Sequence, residues 1–429
     1  MLIPILGFAI LFVLLFIGLP IGWGMMIVGT VGFAMLVDWQ PALSMAAQIT
    51  YDTAANYSLT VLPLFILMGN LINMAGLSRD LYNAADAFVG HRRGGLAMAT
   101  IVACGGFSAL CGSSMATAAA MSRVSLPSMR RFGYDDSLAA GSIASGGTLG
   151  ILIPPSVILV IYGILTNTDI GKLFAAGILP GLLGICLYVL AVGVVTARRP
   201  HLGPPGARKT TREKMQAVRN VGLLALLFAV IMGGIYGGVF TPTEAAGIGA
   251  AGALLLALKR RGLNWPLYWA VLVESTRTTA MMFALVIGAL IFNNFITVAG
   301  LPDYLIEIID HAQLSPLGVI VLICAIYLVL GCVLESMSMV LLTVPVFYPL
   351  VQSLGFDLIW FGIIVVVVTE ISLITPPIGL NIFVVKAMIP DVKVSSIIRG
   401  VMPFIAADIV RLALLVLIPS IVMLIPASM

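Results

Sequence analysis

Apolar runs of roughly membrane-crossing length recur from Leu2 to Ile425, each able to carry a helix through about 30 Å of hydrocarbon. The first, Leu2 to Leu19, has no basic stretch before it and no small-residue cleavage site after it, so it reads as a retained span. The pattern then repeats along the chain. Gly133 maps onto Gly355 and Pro154 onto Pro376, both at an offset of 222 positions. The same offset carries Pro20 onto Pro242, Ser114-Met115 onto Ser336-Met337, and Pro127 onto Pro349. Two related halves, 1–197 and 220–429, are therefore expected, joined by a polar, Pro- and Arg-rich linker at 198–219.

Each half reads as two spans around its early proline (2–19 and 20–37; 221–240 and 242–258) and a third (59–77; 279–300). A helical hairpin (94–128; 316–349), an interrupted span (137–165; 358–385) and a last span (174–197; 400–425) follow. Residues 78–93 and 302–311 mix apolar and polar positions at helical spacing and suit helices lying in the interface. The predicted fold is all-α, with about ten transmembrane helices plus two re-entrant hairpins.

Charge gives this pattern an orientation. Basic clusters sit in short loops: His91-Arg92-Arg93, Arg130-Arg131, Arg198-Arg199 with the linker, Lys259-Arg260-Arg261, and the looser Lys386, Lys393 and Arg399. By the positive-inside rule these face the cytoplasm. The first hairpin has basic residues at both ends, whereas Asp303, Glu307 and Asp310 precede the second. The hairpins are thus expected to dip from opposite faces, with an odd number of crossings per half inverting the second copy and both termini periplasmic. The same rule accounts for the net charge of +4 without a nucleic-acid partner.

Composition sharpens the class. Hydrophobic residues make up 61% and charged residues 9%, against roughly 25% charged in a soluble domain, and the mean hydropathy is +1.14. The whole chain is membrane domain. Cys104, Cys111, Cys186, Cys324 and Cys332 are scattered through apolar segments without C-x-x-C spacing, which suits buried small hydrophobes rather than a disulfide framework or zinc site.

Two constellations interrupt the apolar pattern in each half. One is a small, polar hairpin tip, G-G-F-S-A-L-C-G-S-S-M-A-T (105–117) and G-C-V-L-E-S-M-S-M (331–339). The other is a broken span, S-G-G-T-L-G-I-L-I-P-P-S (145–156) and T-E-I-S-L-I-T-P-P-I-G-L-N (369–381). Glycine and Pro-Pro free backbone carbonyls that lipid would penalise but a bound cation can satisfy. Small residues and a kink could also serve helix packing alone; duplication at constant offset favours a midplane site. Carbonyl and hydroxyl oxygens suit a hard, singly charged ion, and no His or Cys cluster suggests zinc. Sodium is therefore expected in two places. The first takes Ser108, Gly112, Ser113, Ser114, Gly147, Thr148, Gly150 and Ile153; the second takes Gly331, Glu335, Ser336, Ser338, Thr369, Glu370 and Thr375. Ser114, Arg123, Pro154, Ser336, Pro376 and Asn381 are the substrate candidates.

Ionisable residues inside spans are functional candidates by default. Glu274/Arg277 and Asp408/Arg411, at i, i+3, are expected to neutralise each other. Arg123 has no close partner in sequence and either snorkels to the cytoplasmic face or meets an anionic substrate. Glu244, after Thr241-Pro242-Thr243, reads as a helix cap.

These motifs resemble the large membrane subunit of tripartite ATP-independent periplasmic (TRAP) transporters, the DctM-like proteins. The resemblance rests on G-G-I-Y-G-G-V-F-T-P-T-E-A-A (233–246), G-T-L-G-I-L-I-P-P-S (147–156), S-T-R-T-T-A-M (275–281) and E-I-S-L-I-T-P-P-I-G-L-N (370–381), and runs end to end. It implies an elevator-type member of the ion-transporter superfamily, in which a transport domain carrying both hairpins and both broken spans moves in a scaffold. It also implies sodium-driven uptake of an organic acid across the bacterial inner membrane, delivered by a periplasmic binding protein, with a small four-helix membrane subunit. The chain starts at the large subunit's first span, so that subunit is expected to be a separate polypeptide. Arg123 departs from the small or apolar residue expected in the family.

Two other classes compete. A stand-alone dicarboxylate/sodium symporter or ion antiporter of the same superfamily would work without a binding protein. An intramembrane enzyme would need H-E-x-x-H or a paired intramembrane aspartate motif, and the sequence has neither.

Overall fold

The computed structural model describes residues 2–262 and 264–429, and every regular element among them is helical. Met1, Leu263 and the side chains of Leu2, of Leu110 in the first hairpin-tip motif, and of Asp310, one of the acids ahead of the second hairpin, lie outside the described residues.

The first half contains α1 (Leu2–Phe16), α2 (Ile21–Leu36), α3 (Trp39–Ala55), α4 (Val61–Met74) and α5 (Leu77–Val89). It continues through α6 (Gly95–Cys111), α7 (Ser114–Arg131), α8 (Asp136–Thr148), α9 (Val157–Thr166) and α10 (Ile170–Arg198). The second contains α11 (Thr211–Tyr236), α12 (Pro242–Arg261), α13 (Trp265–Val298), α14 (Leu301–His311) and α15 (Pro316–Leu330). It ends with α16 (Ser336–Ser353), α17 (Leu358–Ser372), α18 (Leu380–Met388), α19 (Val394–Leu417) and α20 (Ser420–Met423). Among the described residues, six helical segments are long and apolar enough to cross a membrane: Tyr57–Met74, α10, α11, α13, α16 and α19. The chain is an all-helical, multi-span membrane protein.

Several expected boundaries move. Helix α3 was not anticipated, because its mixed polar sequence buries only Ala42 and Thr53. The third span of the second half begins at Trp265, not 279. The polar run Glu274–Thr279 lowers hydropathy there without interrupting the backbone ladder. The linker shortens to residues 199–210, since Thr210 and Glu213 form a capping box that starts α11. Glu244 does cap α12, its carboxylate accepting from the Thr241 backbone at 2.8 Å. Glu274 and Arg277 form no ion pair and are both exposed, so their expected neutralisation is absent.

Glycines set the closest helix crossings. A Cβ at Gly22 would sit 2.8 Å from the Ala284 carbonyl oxygen, and one at Gly29 2.8 Å from the Phe292 Cα, so α2 lies backbone to backbone on α13. Gly141 and Gly400 do the same for α8 and α19. Several contacts between the two halves come in crossed pairs. Helix α4 packs on α12 as α2 does on α13, α10 packs on α17 as α8 does on α19, and α16 packs on α9 as α7 does on α18.

The basic loops gather at one end. There Gly94 N–H donates to Gly203 O at 2.8 Å and Asp135 N–H to Leu202 O at 3.0 Å. Arg130 bridges Asp136 at 2.8 Å and Asp391 at 2.6 Å. Arg260 pairs with Asp80 and donates to Asn220 O at 2.8 Å.

Candidate functional site

The first hairpin tip is two residues, Gly112 and Ser113, between α6 and α7. Gly112 adopts φ +61°, a left-handed conformation that glycine takes without penalty, and its N–H returns to Ser108 O at 3.0 Å. Ser113 caps α7, accepting weakly from Ala116 N–H at 3.4 Å. The first broken span closes over this tip. A Cβ on Gly150 would lie 3.1 Å from Ser113 O, and one on Gly147 3.1 Å from Ser114 O, so both glycines permit the approach. Gly112 in turn sits beside Pro155 and Val157.

Of the residues expected at the first sodium site, the structure thus brings together Gly112, Ser113, Ser114, Gly147 and Gly150. Ser108 is fully buried, and its hydroxyl has no hydrogen-bond partner. Thr148 turns away, donating to Ser145 O at 2.7 Å and lying 3.4 Å from the Tyr188 hydroxyl. Ile153 and Pro154 face an apolar cavity of about 490 Å3 shared with α10 and α11.

The second tip, residues 331–335, is longer. Gly331 abuts Ser372 at the end of α17, where a Cβ would collide with the Ser372 side chain. Glu335 caps α16, accepting from Met337 N–H at 3.1 Å, Ser338 N–H at 3.3 Å and the Ser336 hydroxyl at 2.9 Å. With Ser338 it also lines a cavity against Phe12 and Ile21. Thr369 and Thr375 donate back to Val365 O at 2.7 Å and Ile371 O at 2.6 Å. Donating uses only the O–H, so the lone pairs of both hydroxyl oxygens stay free for a further donor or cation. Asn381 crosses between halves, donating to Ala144 O at 3.1 Å while its own side-chain oxygen is buried without a partner. Pro376 is half-buried in the open stretch of the break.

Glu370 belongs elsewhere than at the tip. Its carboxylate meets the Arg411 guanidinium at 2.5 Å, and the same nitrogen meets Asp408 at 2.8 Å. Asp408 also accepts from the Tyr188 hydroxyl at 2.5 Å. All three charged groups are fully buried, and the guanidinium lies over the Tyr188 ring. Gly184 on α10 leaves the space that Arg411 fills. The expected Asp408/Arg411 pair is therefore part of a larger network across α10, α17 and α19, reaching Thr148 on α8. Sequence reasoning missed Tyr188 and the link to Glu370. A lone tyrosine within an apolar run gave the only hint.

Arg123 is exposed on α7 and makes no ion pair or hydrogen bond among the described residues. The structure does not bring it to the tip.

Residues 8–421 match the family model described as "Tripartite ATP-independent periplasmic transporter, DctM component". The C4-dicarboxylate TRAP transporter large permease protein DctM of Pseudomonas aeruginosa is 38% identical, with 88% of each chain covered. The sialic acid TRAP transporter large permease protein SiaM of Vibrio cholerae is 34% identical, with 96% of each covered. The 2,3-diketo-L-gulonate TRAP transporter large permease protein YiaN of Escherichia coli is 34% identical, with 95% of each covered. Among solved structures, the YdaH transporter of Alcanivorax borkumensis superposes with a TM-score of 0.65 at 14% identity over 89% of both chains. MtrF of Neisseria gonorrhoeae gives 0.56 at 14% identity, covering 88% of this chain and 83% of that one. These two likenesses concern the fold.

Proposed function

The chain belongs to the DctM component family of tripartite ATP-independent periplasmic transporters, and from that premise we propose that it imports an organic acid by sodium-coupled secondary transport in the bacterial inner membrane. The named relatives' substrates, C4-dicarboxylates, sialic acid and 2,3-diketo-L-gulonate, are carboxylates, and the same class is assigned here. A periplasmic binding protein delivers the acid, and a separate small membrane subunit completes the assembly. The isethionate permease DctMQ, of which this chain matches 66%, has length left over in which such a subunit would fit.

The observation that carries the reading is the fit of each tip to the break of its own half. Gly147 and Gly150 admit Ser113 and Ser114 to backbone contact, and Gly331 admits Ser372. These contacts put backbone carbonyls and hydroxyls at the two proposed sodium sites, whose break residues Gly150 and Ser372 are related by the offset of 222 positions. The crossed packing of α7 on α18 and α16 on α9 supports two inverted repeats, with α6–α7 and α15–α16 as re-entrant hairpins entering from opposite faces. The gathering of basic loops at one end supports a cytoplasmic placement of that end. An elevator carrier must not move half-loaded. Ions that order both tips around one pocket provide the coupling by linkage: sodium raises substrate affinity, and substrate raises sodium affinity by the same factor.

The test is uptake by the reconstituted three-component system. Sodium should activate it, and Ser114→Ala or Thr375→Ala should shift the activation curve to higher sodium without comparable loss of expression. Full-rate uptake with potassium in place of sodium, under a proton gradient alone, would remove the sodium assignment. Uptake by the purified chain without a binding protein would favour the stand-alone carrier.

A further inference from the structure

Arg198, Arg199 and Arg399 line one cavity of about 420 Å3 where the end of α10 meets the starts of α8 and α19. At this end Arg130 holds Asp136 and Asp391, and Arg260 holds Asp80, while Arg92, Arg93 and Arg131 have no ion pair or side-chain hydrogen bond among the described residues and do not line the cavity. The three cavity arginines make no ion pair or hydrogen bond among the described residues. The acid beside them, Asp135, is engaged locally, its carboxylate accepting from Ser137 N–H at 2.8 Å. Leu138, Val195 and Pro403 form an apolar side to the same cavity.

The positive-inside rule explains why arginines occur in these loops. It gives no reason for three of them to converge on one depression that is apolar on its membrane side. Three guanidinium groups against one carboxylate leave a net positive cavity, and next to an apolar wall this matches an amphiphilic anion, with phosphate oxygens in the arginine forks and glycerol and acyl carbons along the wall. Basic pockets between membrane helices are where the headgroups of multiply charged phospholipids bind. A freely soluble anion would use the arginines and leave the wall unexplained.

We propose that this cavity binds the phosphodiester headgroup of an anionic phospholipid, with a two-phosphate lipid preferred because three arginines face it. Bound there, the headgroup ties together the ends of α8, which leads into the first break, and α19, which carries Asp408 and Arg411. That the lipid comes from the cytoplasmic leaflet rests on the orientation proposed above; the binding itself does not.

The experiment uses the purified full-length chain in detergent, with native mass spectrometry and thermal unfolding as readouts. The probes are cardiolipin, phosphatidylglycerol, phosphatidylcholine and inorganic phosphate. Cardiolipin should bind more tightly than phosphatidylglycerol, and phosphatidylcholine should not compete. The variant Arg198→Gln/Arg199→Gln/Arg399→Gln should weaken cardiolipin binding by about fivefold for each arginine removed, the scale of one basic residue at an anionic membrane surface. The control Arg92→Gln/Arg93→Gln/Arg131→Gln removes equal charge from the same end and should bind normally. If the triple variant does not fold, Arg399→Gln against Arg399→Lys decides, since lysine keeps the charge without the fork. Equal loss in the control, equal binding of phosphatidylcholine, or displacement of cardiolipin by millimolar phosphate would each overturn the proposal. Uptake is not among the readouts, so failure here leaves the transport reading intact.

Discussion

Between α8 and α9 the chain is closed on itself. The Ser156 hydroxyl donates to Ile151 O at 2.5 Å and also caps α9, and Pro154, Pro155 and Ser156 are buried. Between α17 and α18 the corresponding stretch opens outward: Pro377 and Ile378 are exposed, and Gly379 turns the chain at φ +58°. The residues just before the breaks differ in the same sense. Thr148 and Glu370 occupy positions related by the offset of 222, one a hydroxyl bonded to its own helix, the other a buried carboxylate held by Arg411. The first break is fixed by packing, the second by charge from a neighbouring helix. A segment with an exposed backbone and few local bonds is where a conformational change costs least, so the second break is the part of the proposed site that should respond to loading.

The largest expected effect comes from removing the charge that fixes the second break. Arg411→Ala leaves two buried carboxylates without a cation and should destabilise the protein by about 3–5 kcal/mol, seen as a lowered thermal midpoint of the purified protein. Thr148→Val, at the equivalent place in the first half, loses a neutral hydrogen bond to Ser145 O and a weak Tyr188 neighbour and should cost about 1.5 kcal/mol or less. Comparable losses in the two variants would break the contrast. Replacing Glu370, Asp408 and Arg411 together by methionine should recover much of the stability, because well-packed apolar groups often substitute for a buried ion pair.

The same network marks where sequence reading stops. The breaks, the tips, the Glu244 cap and the proline-started spans were legible because each is local: a ring without an N–H, a glycine at a turn, a capping box. Glu274/Arg277 and Asp408/Arg411 look alike in sequence. One pair is exposed and unjoined, the other fully buried and joined to Glu370. What separates them is the helices packed around α19, which no spacing along the chain reveals. Helix α3 and the first turns of α13 escaped for a different reason. Their polar residues lower hydropathy while leaving the backbone free to stay helical.

An intermediate effect is expected from the glycines. At Gly150 an added Cβ would press on Ser113 and Ser114 at 3.1–3.3 Å, so Gly150→Ala should push the first tip off its break and raise the sodium needed for half-maximal uptake. At Gly379 the penalty is conformational, about 1–2 kcal/mol for a left-handed residue with a Cβ, and Gly379→Ala should lower stability and uptake together. Hydrogen exchange of the purified variants would distinguish the two. Added exchange confined to the tip is expected for Gly150→Ala, and exchange spread through α18 for Gly379→Ala. The opposite assignment would reverse the roles given to the two breaks.

The smallest effect tests the exposed tie between halves against the buried one. Arg130 at the end of α7 bonds Asp391 in the loop before α19, and that hydrogen bond holds the Asp391 carboxyl below the ordinary carboxylate range. A carboxyl whose folded value is depressed contributes its stability above the unfolded value, about 4, and loses it as pH falls through the folded value. The difference in thermal midpoint between the wild type and Asp391→Asn should therefore be flat and small from neutral pH down to about 5, then shrink towards zero on further acidification. Because both side chains are substantially exposed, added salt should erase the difference at any pH, whereas the Arg411→Ala loss, in a buried site, should persist in salt. A difference that grew on acidification would give the tie the wrong sign. One that survived molar salt would mean that this contact is shielded from solvent and holds the halves together much as the buried network does.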